Sequence, residues 1–155
     1  MEKSKVAKGR AAVLLFALKL MEHGVQVFEP LHEDTPIDLV AYTGHAFYRV
    51  QVKSAHAVKS SVGGSFEIPF RKITIGAGHV CKVKKYTREH IDYLVGVLPK
   101  TGDFYCFPVD AVDKMKSSIR VNPAGLPSKA PHCNRILDPE KYRNVITFGD
   151  EVLQL

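Results

Sequence analysis

Cysteine is scarce in this chain of 155 residues. The three present, Cys81, Cys106 and Cys133, are widely spaced and odd in number. No two have C-x-x-C spacing, which argues against a zinc site or a disulfide framework. They read as reduced thiols of a cytoplasmic protein, mostly packing residues. His132 stands beside Cys133, but no second such pair completes a metal site. Long apolar runs are missing too. The basic start MEKSKVAKGR followed by VLLFALKLM has the outline of a signal peptide. Lys19 and Glu22 interrupt it, no small-residue cleavage site follows, and nothing reaches the ~20 apolar residues of a membrane span. A buried helix is expected instead. Internal repeats, coiled-coil heptads and low-complexity tracts are lacking as well. So are RNP-like aromatic runs and a KH-type GxxG loop, which argues against an RNA-binding module.

Acidic residues are the minority. Sixteen Asp and Glu against 22 Lys and Arg leave a formal charge of +6 and a pI near 9.2. A positive surface attracts and steers polyanions, so the balance agrees with a nucleic-acid partner without establishing one. The hydrophobic fraction of 45% and charged fraction of 25% are ordinary for a globular protein. The length suits one domain, residues 1–155, with room for a real core.

Along the chain, residues 7–23 have a helical pattern that Gly24 stops. Apolar residues cover nearly every side of it, so it should be wedged against a sheet. Strands are expected at 25–28, 37–42, 47–55, 66–75, 93–98 and 104–109. Short helices are expected at 110–115 and 139–143, with an irregular crossing over the proline-rich 122–131. Residues 58–65 read as a flexible loop, and Gly76-Ala77-Gly78-His79 as a turn or loop tip.

The informative stretch is PIDLVAYTGHAFYRVQVKSA. Successive side chains of a strand alternate faces, so Gln51 and Lys53 share one face while Val50 and Val52 share the other. A hairpin through Thr43-Gly44-His45 folds Asp38 back beside that pair. A carboxylate, an amide oxygen and an ammonium then converge. That is the minimum for binding a hard divalent cation and placing a water beside a phosphate. Two plainer readings compete: Asp38 ending a strand after Pro36, and Gln51 with Lys53 forming the solvated side of a half-buried strand. The agreement of Asp38 with the basic balance favours the site. Lys59, Arg71, Lys72, Lys82, Lys84 and Lys85 surround the glycine-rich turn, with His79 at its tip. They are either ordinary solvated surface or a DNA-binding, phosphate-contacting loop. Tyr93, Tyr105 and Phe107 fall in strand patterns and read as core.

This pattern resembles the PD-(D/E)XK nuclease superfamily. It is most similar to small group I intron-encoded homing endonucleases and, more distantly, to archaeal Holliday-junction resolvases. Lys8-Gly9, Val27, Pro30, Pro36, Asp38-Leu39-Val40 and Gln51-Val52-Lys53 carry the resemblance, and Ile91 to Val95, Tyr105 and Pro108 extend it. It implies an α/β fold: a restriction-endonuclease-like mixed β-sheet flanked by helices, with a hairpin- and loop-rich DNA-contacting region. It implies hydrolysis of phosphodiesters in double-stranded DNA with magnesium, for which manganese can substitute, by a homo-oligomer, dimer or tetramer. Asp38 becomes the carboxylate metal ligand, Gln51 takes a place usually held by Asp or Glu, and the Val52 backbone carbonyl is a further ligand. Lys53 serves the attacking water or the pentavalent transition state. The chain departs from the pattern at Val13, four residues after Gly9, where such nucleases commonly carry a Glu. Glu2, Glu33, Asp34 and Glu67 are the acids that could stand in.

Overall fold

The computed structural model describes residues 4–32, 34–58, 64–75, 81–113, 115, 118–123 and 137–154, of which 72–75, 81–84, 151 and 153–154 are described along the backbone alone. Helix α1 (Lys5–Glu22) starts at Ser4, whose hydroxyl oxygen accepts the Ala7 N–H at 3.2 Å. It ends before Gly24, whose φ of +77° suits a residue without a Cβ. Ala12, Val13, Phe16, Ala17 and Leu20 form one buried stripe against the sheet. The helix is wedged against the sheet, but Leu14, Leu15, Leu18 and Met21 are exposed, which corrects the expectation of a buried helix. The sheet covers one face, and no other described element covers the opposite one.

After α1 come β1 (Gln26–Phe28), β2 (Leu39–Tyr42), β3 (Phe47–Ser54), β4 (His56–Ala57), β5 (Phe66–Pro69), β6 (Arg71–Ile75), β7 (Cys81–Lys85), β8 (Tyr93–Val97) and β9 (Phe104–Pro108). Then follow α2 (Val109–Val112), β10 (Ser118–Val121), a 3-10 turn at Pro139–Tyr142, β11 (Val145–Phe148) and β12 (Glu151–Gln154). The central sheet has the order β1-β2-β3-β8-β9, mixed because β3 and β8 run parallel and the other pairs antiparallel. Parallel neighbours need a long crossover, and here it carries β4 to β7. Alternation along the strands divides the core. Val50, Val52, Val95 and Val97 pack under α1. Leu94, Tyr105 and Phe107 pack on the opposite face against Ile68 and Ile119 of a second sheet, ordered β10-β5-β4. The two layers meet closely at Gly96, where a Cβ would lie 2.4 Å from Ile68 Cδ1.

The expected strand at 66–75 is two strands. Pro69 has no N–H for a ladder, and Phe70 turns into the core with its ring 5.9 Å from that of Phe107. β5 therefore pairs with β10 and β4, while β6 pairs with β7. Strands β10, β11 and β12 were not legible in the sequence. The β11–β12 hairpin is anchored by stacking of Phe148 on Tyr48, centroids 4.9 Å apart, and by the Gly149 N–H donating to the Tyr93 hydroxyl at 3.0 Å. The turn expected at 76–79 and most of the proline-rich crossing lie outside the described residues.

Candidate active site

The β2–β3 hairpin builds the site by register. Gly44 turns at a φ of +94°, and Leu39 pairs with Val50, which puts Asp38 beside Gln51 at the end of the ladder. The Asp38 N–H still donates to the Val50 carbonyl at 2.9 Å, but strand β2 contributes nothing to the next outward position on β3. The Asp38 side chain fills that role: its Oδ2 accepts the Val52 N–H at 2.7 Å. A central-strand amide is thus satisfied by a carboxylate instead of by a neighbouring strand.

The same Oδ2 accepts from Gln51 Nε2, which also donates to the Val52 carbonyl at 3.3 Å. Gln51 and Ser65 are the buried polar side chains among the described residues. Lys53, one pleat further along the same face, holds its ammonium 5.1 Å above the ring centre of Tyr86. Burial, with a smaller contribution from the Asp38 charge, pushes the Tyr86 phenol far up, so the ring stays neutral.

These groups open into a cleft of about 690 Å³ between the first turns of α1 and the ends of β2 and β3. Asp38 is the one carboxylate in its described lining, whereas Lys5, Lys8, Arg10, Lys53 and Arg71 give five permanent cations. Arg10 is held protonated by Glu29, paired at 2.8 Å, and more weakly by Asp38. The Nε of Arg71 is buried with no hydrogen-bond partner among the described residues. Val13, where the resemblance implies an acid, lines the same cleft. No acid among the described residues replaces it there. Glu67 accepts from the Ser118 hydroxyl, exposed Asp34 donates its N–H to His32, and Glu2 and Glu33 lie outside the described residues. Nor is there a grouping of three or more His, Cys, Asp or Glu suited to a metal among the described residues.

The structure therefore brings together Asp38, Gln51, Val52 and Lys53, and it adds Arg71 from the expected DNA-contacting set. Lys85 lies elsewhere, donating to the Asp113 carbonyl at 3.3 Å. Lys72, Lys82 and Lys84 belong to the β6–β7 hairpin, whose ladder pairs 72 with 84 and 74 with 82; their side chains lie outside the described residues. Lys59 and His79 lie wholly outside them. Sequence reasoning missed Lys5, Arg10, His56 and Tyr86. The i, i+3 spacing of Lys5 and Lys8 signalled a basic helix flank. Tyr86 left no local signal, since it meets Lys53 only through the crossover.

A family model described as PD-(D/E)XK endonuclease matches residues 3–144 of the chain. Among solved structures, the chain is similar to a bacterial homing endonuclease, I-Ssp6803I, at 23% identity and a TM-score of 0.78, over 91% of this chain and 89% of that one. At that identity the likeness is one of fold. No curated protein matches the chain.

Proposed function

This chain belongs to the PD-(D/E)XK endonuclease family, and on that premise we propose that it is a site-specific endonuclease hydrolysing phosphodiester bonds of double-stranded DNA with magnesium. One observation carries the reading. The Asp38 carboxylate, bonded to the Val52 N–H and the Gln51 amide, sits in a cleft whose other charged side chains are basic.

The residues present suit a hard cation. Asp38 Oδ2 and the Val52 carbonyl both accept from Gln51 Nε2, so two oxygens already converge on one electropositive centre. Half a turn of the Gln51 amide would exchange this donor for its oxygen, and a cation between that oxygen and Asp38 would then take the place of the donated hydrogen bond. Asp38, Gln51 and the Val52 carbonyl would hold the ion, which when bound would supply Lewis-acid polarisation of the phosphate and a more acidic water. One carboxylate makes this a weak site until the scissile phosphate adds its own charge.

The chain's own groups do the rest. Lys53 orients or deprotonates the attacking water, or meets the charge that builds on the phosphoryl oxygens. Arg71, with an unmatched donor among the described residues, and the α1 cations Lys5, Lys8 and Arg10 hold flanking phosphates. A single such site cuts one strand, so cleavage of a duplex calls for a homo-oligomer. The fold likeness to a bacterial homing endonuclease and the long basic region 59–85 support intron homing over junction resolution.

Val13 favours a second reading, a DNA-binding protein that has the fold without the chemistry. Incubation with a complex DNA pool and magnesium, followed by sequencing of the ends, decides between them. Recurrent ends at one sequence are expected. Cuts confined to four-way junctions would make it a resolvase. Binding with no cut in magnesium or manganese would overturn the endonuclease reading.

A further inference from the structure

Tyr86 follows β7 and is 4% exposed, packed with Ala55, Ile68 and Phe70 in the core beneath the crossover sheet. Such a ring would ordinarily serve packing alone. Two observations set it apart. Its face lies 5.1 Å from Lys53 Nζ, inside the ~6 Å reach of a cation–π contact. Its hydroxyl is buried with no hydrogen-bond partner among the described residues, so no described group engages the oxygen.

We propose that Tyr86 is a positioning residue for Lys53, its ring face seating the ammonium over the scissile phosphate; this role rests on the endonuclease reading of the cleft. A lysine side chain has four rotatable bonds and ends in a compact, strongly hydrated charge, so each contact on the ammonium narrows where it sits. A second carboxylate could hold it, but that carboxylate would compete with Asp38 for the metal and repel the phosphate. An aromatic face attracts the cation and carries no charge. Because burial keeps the phenol neutral, the seat does not turn into an anion at any pH at which DNA cleavage is assayed.

The test keeps the shape and removes the electrostatics. Position 86 is made phenylalanine, then phenylalanine with increasing ring fluorination, and finally leucine. Single-turnover cleavage is measured with magnesium, and DNA affinity with calcium. Tyr86→Phe should cleave within about threefold of wild type and melt no lower, since the hydroxyl it loses is unpartnered among the described residues. Fluorination, which drains the face of negative potential, should slow cleavage stepwise, by about 3- to 30-fold in total. DNA affinity should stay within about twofold, because the phosphate-binding cations are untouched. The ε-methylene protons of Lys53 should show an upfield ring-current shift in wild type and Tyr86→Phe that is absent in Tyr86→Leu.

Equal cleavage rates across the fluorinated series would overturn the role while leaving the nuclease intact. A Tyr86→Phe variant that folds but does not cleave would also overturn it, by placing the function in the hydroxyl. Persistence of the Lys53 shift in Tyr86→Leu would show that the contact does not exist. Absence of cleavage by wild type itself would instead overturn the endonuclease reading, and this role with it.

Discussion

Replacing Gln51 by Glu puts a second carboxylate in contact with the Asp38 oxygen that now accepts from the Gln51 amide. Two unit charges about 4 Å apart at an effective dielectric near 20 repel by about 4 kcal/mol. The variant also loses two donor contacts, to Asp38 Oδ2 and to the Val52 carbonyl, each worth about 1 kcal/mol. Without metal, Gln51→Glu should be destabilised by several kcal/mol at neutral pH. Its sign with pH follows from the repulsion: ionising the second acid is opposed in the folded state, so the penalty grows as pH rises and fades as pH falls toward about 4. A divalent cation between the carboxylates removes the repulsion. That relief is worth about 4 kcal/mol, or roughly 10³-fold in metal affinity, and a gain on the order of 10- to 1,000-fold is expected. Calorimetry with calcium, on wild type and variant, with and without DNA, measures this directly. Wild type should bind calcium weakly alone and more tightly with DNA, because the phosphate completes the shell. Gln51→Glu should bind calcium without DNA, and its melting point, low in chelator, should recover in calcium. Equal affinities in all four titrations, with unchanged melting, would mean that Gln51 does not face a metal.

Lys53→Ala should abolish cleavage while leaving denaturant stability nearly unchanged. Asp38→Ala should also abolish it but cost about 1–3 kcal/mol, because the Val52 N–H loses its acceptor; full activity in either variant removes the assigned site. DNA affinity should fall about 10³–10⁵-fold between 50 and 200 mM salt if about six to ten phosphates are neutralised, and a flat fluorescence-anisotropy response to salt contradicts phosphate-dominated binding. Burial disfavours ionised Asp92, but the bonds from the Arg49 side chain and N–H outweigh it and hold the carboxyl below its ordinary value. The stability this provides is complete above the unfolded value of about 3.9 and is lost as pH falls below it. Arg49→Met should therefore be less stable at pH 7 and flatten the decline of urea midpoints between about pH 4 and 2; an unchanged slope refutes the assignment.

The strand that carries Gln51 and Lys53 was legible because its logic is local. A period of two puts Gln51 and Lys53 on one face whatever surrounds them, and a short hairpin with glycine at its turn leaves little choice of register for Asp38. The resemblance carried by these residues named the family, since the motif is itself a local pattern. The helix at the N-terminus was legible in extent, expected over residues 7–23 and found at Lys5–Glu22, but not in burial. Val13 and Leu14 are equally apolar, and only the sheet decides that one is covered and the other exposed. The break at Phe70 escaped detection because a run of β-formers does not record which partner each half will pair with, and three late strands escaped for the same reason. The second wall of the cleft, Lys5, Lys8 and Arg10, and the ring beneath Lys53 come from segments far from the motif in sequence. Their approach depends on α1 docking on the sheet and on the crossover returning over β3. Sequence fixes which groups a strand presents and in what order. Which distant groups meet them depends on how apolar faces that are interchangeable in sequence find cover, and that free energy belongs to the packed whole rather than to any segment.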